Sequence, residues 1–190
     1  MVDFEEDIKN CVQTLLAGGT ILYPTDTVWG LGCDALNPAA VAKVFALKER
    51  PAEKSMIVLL ADAREILQYV AAPPPDIIAI VESFERPTTV IYENALELAE
   101  NVLNADGSVA IRVTTDPFCK ALIKRLRRPI VSTSANISGT STPAIYSRIN
   151  PYIITGADYV VRYRQDDEVI RRPSLLVRMT DEGDMVVLRG

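Results

Sequence analysis

At Asn37-Pro38 and at Asp116-Pro117 this chain sets a helix-capping side chain directly before a proline. Asn and Asp accept from the unpaired amides of a first helical turn, and proline suits that turn because its missing N–H would find no partner there. Each pair opens a run at helical spacing, the first reaching Ala46 or Leu47 and the second about Arg127. Each run then gives way to an apolar strand, SMIVLL at 55–60 and PIVS at 129–132. Helix feeding strand, repeated, is the pattern of an α/β layer.

The remaining segments extend that reading. Phe4, Ile8, Cys11, Val12, Leu15 and Leu16 recur at helical spacing, and Gly18-Gly19 closes the helix they predict. TILYP, TTVIY and SVAIRV are expected strands, and Asp62 is placed to cap a helix carrying Ile66, Leu67 and Val70. The prolines at 73–75 start another helix, and residues 143–149 read as a short one. Three late segments, DYVVRY, SLLVRM and MVVLR, are strands, the last two joined by a turn at 181–184. Strands alternate with helices early and accumulate late, which favours an α/β fold with a mixed sheet over a purely parallel one. At 190 residues, one domain over 1–190 is expected, large enough to bury a core without covalent staples.

Composition removes several chemistries. The chain has no histidine, so a Ser-His-Asp triad is excluded and the commonest zinc ligand is missing. Cys11, Cys33 and Cys119 are odd in number and far apart, which suggests buried thiols in a reducing compartment. The acidic start and the lack of a bilayer-length apolar run make a cytoplasmic location, with no membrane, the expectation. Net charge is −5, yet cations cluster at Lys43, Lys48, Arg50 and Lys54, and again at Lys120, Lys124, Arg125, Arg127 and Arg128. Local anion sites are therefore possible on an acidic protein.

Ligands of open α/β sheets bind beyond the carboxyl ends of strands. Four segments have that form. YPTDTVWGLG follows a strand with Thr25, Asp26 and Thr27, read either as a polar turn with a capping aspartate or as a ligand loop with glycines at Gly30 and Gly32. In LKERPAEKSM, Lys48, Arg50 and Lys54 repel one another unless solvated or offset by anions such as phosphate. Helix-dipole complementation accounts for Lys48 but poorly for Lys54. Arg112 interrupts the apolar strand VAIRV and requires a partner, a structural carboxylate or an anionic ligand. PIVSTSANISG ends an apolar strand in Ser132, Ser134 and Asn136, which either satisfy loop backbone or line a pocket with neutral polar groups. No GxxxxGK[ST] loop occurs, so a nucleotide would not be held in the P-loop manner.

Taken together, YPTDTVWGLGCDA, KERPAEKS, VAIR, STSANISG, RPSLLV and VLRG resemble the motifs of the YrdC-like family of threonylcarbamoyl-AMP synthases over nearly the whole chain. The resemblance implies a twisted mixed sheet around a concave cationic cavity. It implies a nucleotidyltransferase that converts L-threonine, bicarbonate and ATP, with Mg²⁺, to L-threonylcarbamoyl-AMP and pyrophosphate. The product serves threonylcarbamoyladenosine modification of tRNA through downstream transferase proteins. By the same resemblance Thr27, Ser134 and Ser174 contact threonine, while Lys48, Arg50, Lys54, Arg112, Asn136 and Arg189 hold the nucleotide; Lys48, Arg50 and Lys54 are the catalytic set, and no protein metal ligand is implied. The chain departs from family patterns at Glu85-Arg86, Thr114 and Leu175, at Trp29, where tyrosine is common, and at Leu59, where some members place a histidine. The rival reading is a non-catalytic RNA-binding module using the two cationic clusters, and a carbamoyl-phosphate-dependent adenylate enzyme is a third.

Overall fold

Both capping pairs work as their chemistry predicts in the computed structural model, which describes residues 4–51, 56–179 and 185–190. In chain order the helices are α1 (Glu5–Leu16), α2 (Pro38–Leu47), α3 (Ile66–Tyr69), α4 (Ile77–Glu82), α5 (Pro117–Leu126) and α6 (Pro151–Gly156). The strands are β1 (Ile21–Tyr23), β2 (Gly30–Gly32), β3 (Ile57–Leu60), β4 (Thr88–Tyr92), β5 (Val109–Val113), β6 (Ile130–Ser134), β7 (Tyr159–Val160), β8 (Leu175–Met179) and β9 (Met185–Arg189). Asn37 Oδ1 accepts from the amides of Ala39 and Ala40 at 3.1 and 3.2 Å, and Asp116 Oδ1 accepts from Cys119 at 3.0 Å. Gly18, at φ +74°, closes α1 in the left-handed region that glycine enters without penalty.

The strands form one nine-stranded mixed sheet in the order β7-β1-β2-β6-β3-β5-β4-β8-β9. Pairs β1–β7, β3–β5 and β4–β8 are parallel, and the others are antiparallel. The single α/β layer with a mixed sheet is therefore as expected. The decisive feature for function is β6, which comes late in the chain yet inserts between β2 and β3. Its register sets Ser134 opposite Gly30 and Ser132 opposite Ile57. All three cysteines are free and buried, in keeping with the thiol expectation. Among the described residues no helix is long and apolar enough to cross a membrane.

Three local expectations change. β2 is a strand although Gly-Leu-Gly has little strand propensity, because β1 and β6 flank it and complete its ladder. Residues 143–149 form only a 3-10 turn at Tyr146–Arg148, and the helix starts later, where Asn150 caps Tyr152 at 2.9 Å ahead of Pro151. Asn150-Pro151 is thus a further cap-plus-proline pair of the same kind as Asn37-Pro38 and Asp116-Pro117. DYVVRY contributes only the two residues of β7. The turn expected at 181–184 lies outside the described residues.

Gly32 is fixed by close approach. A Cβ there would lie 1.9 Å from the Val131 carbonyl oxygen and 3.0 Å from the Tyr23 ring, whose hydroxyl donates to that same carbonyl at 3.1 Å. Gly32→Ala must push β2 away from β6, and the expected loss is about 3 kcal/mol, read as a lower urea midpoint with an unchanged slope.

Candidate active site

The turn between β1 and β2, the end of α2, the ends of β5 and β6, and the β8–β9 hairpin meet around one cavity of about 380 Å³. Six of the expected site residues line it: Thr27, Arg50, Arg112, Ser134, Ser174 and Arg189. Val28, Trp29, Met56 and Ile91 add apolar surface. Three arginines thus face a hollow that has no carboxylate among its described lining residues. Lys54 lies outside the described residues.

Each of these side chains is placed by an identifiable device. At the end of α2, Glu49 takes φ +48° and the Arg50 amide reaches back to the Phe45 carbonyl at 3.0 Å, which turns the chain towards the cavity. Burial holds the Arg50 guanidinium below its ordinary value, although a guanidinium in a protein stays charged. Arg112 stands on β5 with 3% exposure, and its partner is a carboxylate: Nη2 lies 3.3 Å from Asp26 Oδ1. Nη1 donates to Thr27 Oγ1 at 3.0 Å. Asp26 Oδ2 accepts from Thr114 Oγ1 at 3.2 Å and from the Thr115 amide at 3.1 Å. The ion pair is close but poorly aligned, since Asp26 Oδ1 and Arg112 Nε are both buried without a hydrogen-bond partner. Of the two partners the sequence left open for Arg112, the structural one is present, and the side chain faces the cavity as well.

Proton accounting fixes how two hydroxyls meet a ligand. Thr25 Oγ1 donates to the Val28 carbonyl at 2.8 Å, so in its 3.0 Å contact with Thr27 the Thr27 hydroxyl is the donor. Ser134 Oγ donates to Asn136 Oδ1 at 2.5 Å, while Asn136 Nδ2 donates to the carbonyls of Ile137 and Thr140 at 3.1 and 2.8 Å. With their protons committed, Thr27 and Ser134 offer a ligand only acceptors. Ser174 pairs with Thr89 at 2.8 Å between their hydroxyls, and Arg189 Nη2 donates to the Ser174 carbonyl at 3.1 Å.

Two expected nucleotide residues sit differently. Asn136 spends its amide on its own loop, as described above. Lys48 is 1% exposed and is not among the cavity-lining residues; its Nζ donates to the carbonyls of Ser134 and of Asn136, the latter at 2.6 Å. None of the second cationic cluster is among the residues that line this cavity: Arg125 pairs with Glu5 at 3.0 Å and Arg128 with Asp34 at 2.7 Å. One arginine outside the sequence motifs also serves the site. Arg164 bonds the second oxygen of the capping Asp116 at 2.6 Å and the Thr25 carbonyl at 2.9 Å, so it braces the Thr25–Thr27 turn from behind. Nothing in the sequence marks that pairing, which joins residues 48 and 139 positions apart.

Burial, reinforced by the Arg50 charge, pulls the Lys48 amine down from 10.5 to about 7. A base with a lower folded than unfolded pKa binds fewer protons when folded, so between the two values stability rises with pH. The stability difference between wild type and Lys48→Met should therefore shift in favour of wild type by about 1–2 kcal/mol between roughly pH 7 and 8.5. Urea titrations at each pH measure it, and a flat difference would mean an ordinary lysine.

Residues 13–190 match the Sua5/YciO/YrdC family model, described as telomere recombination. A threonylcarbamoyl-AMP synthase of Saccharophagus degradans is 36% identical over 169 residues, covering 86% of this chain and 88% of the relative. One from Pseudoalteromonas translucida is 37% identical over 141 residues, covering 73% and 75%. Among solved structures, P. abyssi Sua5 complexed with L-threonine superposes with a TM-score of 0.85 at 24% identity, over 97% of this chain and 54% of that one. E. coli YciO superposes with a TM-score of 0.82 at 22% identity, over 97% of this chain and 88% of that one. At those identities the two structures speak for the fold. The sequence relatives and the family model carry the further conclusion that this chain belongs to the Sua5/YciO/YrdC family.

Proposed function

We propose that the chain is an L-threonylcarbamoyladenylate synthase, forming threonylcarbamoyl-AMP and pyrophosphate from L-threonine, bicarbonate and ATP for tRNA modification. One observation carries the reading: residues from five separate segments bring three arginines and two acceptor-only hydroxyls to the same hollow. Acceptors at Thr27 and Ser134 suit the N–H and O–H donors of an amino acid, with Ser174 beside them. Guanidinium forks at Arg50, Arg112 and Arg189 suit phosphate and carboxylate oxygens. Lys54 belongs to the same phosphate set by family resemblance alone.

The chemistry balances without a covalent enzyme intermediate. The free amine of threonine adds to bicarbonate, giving a carbamate and water. A carbamate oxygen attacks the α-phosphorus of ATP, a P–O bond forms, and the bond to the β-phosphate breaks to release pyrophosphate. Arg50 offsets charge on the departing phosphates, and holding the reactants in line supplies much of the remainder. The described lining has no carboxylate, and the chain has no imidazole. In this reading the amine proton passes to bicarbonate, solvent or the substrate itself. Among the described residues no cluster of acidic or sulfur side chains fits a resident metal ion. Mg²⁺ enters with ATP as part of the substrate.

The compartment we infer is the cytoplasm, and the downstream partners are the proteins that transfer the threonylcarbamoyl group to tRNA. The test is pyrophosphate release from ATP and bicarbonate with L-threonine, with L-serine and with no amino acid. Threonine-dependent release is expected. RNA binding that falls steeply with salt, with no ATP consumed, would favour the binding-module alternative instead.

A further inference from the structure

Lys48 makes three contacts with the end of β6 and the loop that follows it. Its ammonium donates to the carbonyls of Ser134 and Asn136, and its own carbonyl accepts from the Ser138 amide at 2.8 Å. Two residues further on, past the left-handed Glu49, the chain delivers Arg50 to the cavity. One residue therefore joins the turn that presents Arg50 to the loop that presents Ser134, across more than 80 positions of sequence.

We propose that Lys48 is a positioning residue, a buried fastener that draws two carbonyls together and so fixes the Ser134–Asn136 loop against the Arg50 turn, and that it does not bind phosphate. The physical case begins with the carbonyls. Two carbonyl oxygens converging on one point repel each other unless a donor stands between them, and the Lys48 ammonium is that donor. The loop is also held by the Ala135 amide, which donates to the Trp29 carbonyl at 3.1 Å, and by its own side chains, through Ser134 to Asn136 and Asn136 to Ile137 and Thr140, but none of these bonds reaches the Arg50 turn. A lysine that served phosphate would keep its head in the cavity, whereas this one is 1% exposed and turned to backbone. The function also tolerates loss of charge: a neutral amine keeps two N–H groups, enough for the two carbonyls, which accords with an amine lowered to about 7. The consequence for ligands rests on the synthase reading, because it takes Ser134 to serve the amino acid and Arg50 the nucleotide. The fastening itself does not depend on that reading.

The experiment compares wild type with Lys48→Met by amide hydrogen exchange and by calorimetric titration of ATP, AMP and L-threonine. In the variant, amides of residues 135–140 should exchange about tenfold faster or more, while α5 remains protected. Affinities for ATP, AMP and L-threonine should all fall, by about tenfold each, because one loosened wall serves them all. A loss confined to ATP, with AMP, threonine and loop exchange unchanged, would make Lys48 a phosphate ligand and overturn the proposal. No change in any of them would also overturn it. Should Lys48→Met fail to fold, amine acetylation of the wild type decides the matter. A fastener stays unlabelled with or without ATP, whereas a phosphate ligand is labelled in the free protein and shielded by ATP. If wild type binds neither ATP nor threonine, the synthase reading fails, and exchange and acetylation still judge the fastener.

Discussion

Asp26→Ala should unfold the protein at a urea midpoint lower by the equivalent of about 3–5 kcal/mol, the loss typical of stranding one partner of a buried ion pair. Arg112 is 3% exposed and Asp26 8% at the side chain, so water cannot take over from the missing carboxylate. The aspartate also gathers Thr114 and Thr115, and its loss frees the turn that carries Thr27. The decisive comparison is the double variant Asp26→Ala/Arg112→Met, which removes the stranded cation and should recover more than half of the loss. If the double variant were as unstable as the sum of the singles, the pair would not be coupled and Asp26 would matter only as a turn residue. This experiment separates two roles that coincide at Arg112, since the double variant should regain stability while remaining inactive.

Arg50→Ala should leave stability within about 1 kcal/mol of wild type yet reduce threonine-dependent pyrophosphate release by about a hundredfold to a thousandfold, the range seen when a preorganised group facing transition-state charge is removed. Arg50 is half-buried and sits on a turn outside any strand or helix, so its truncation opens no core cavity. Arg50→Lys should restore only part of the rate, because an ammonium cannot span two phosphate oxygens as a guanidinium fork does. Single-turnover rates separate the binding and chemical contributions. Normal turnover in the alanine variant would remove Arg50 from the mechanism.

These two arginines mark how far the sequence could be read. Arg50 was legible as one of a tight group of cations that needed anions, and it does face the cavity. Arg112 was legible as a charge in an apolar strand, but its partner was not, because Asp26 reads equally well as the cap of its own turn. Lys48 shows the limit most clearly. Its place after α2 suited either a helix-end cation or a phosphate residue, and only the loop 86 positions away shows where its amine goes.

What the sequence determined by itself was whatever a few neighbouring residues decide. Asn37, Asp116 and Asn150 each accept from amides two or three residues ahead, so the helix starts follow from local chemistry. Strands rich in branched residues, such as β4, β5 and the start of β6, follow likewise from local patterning. Tertiary structure alone decided the rest: that Gly-Leu-Gly becomes β2, that β6 slots between β2 and β3, and that Lys48 turns to backbone. In each case the deciding hydrogen bonds run between segments remote in sequence, and only the packed sheet brings those segments within hydrogen-bonding distance.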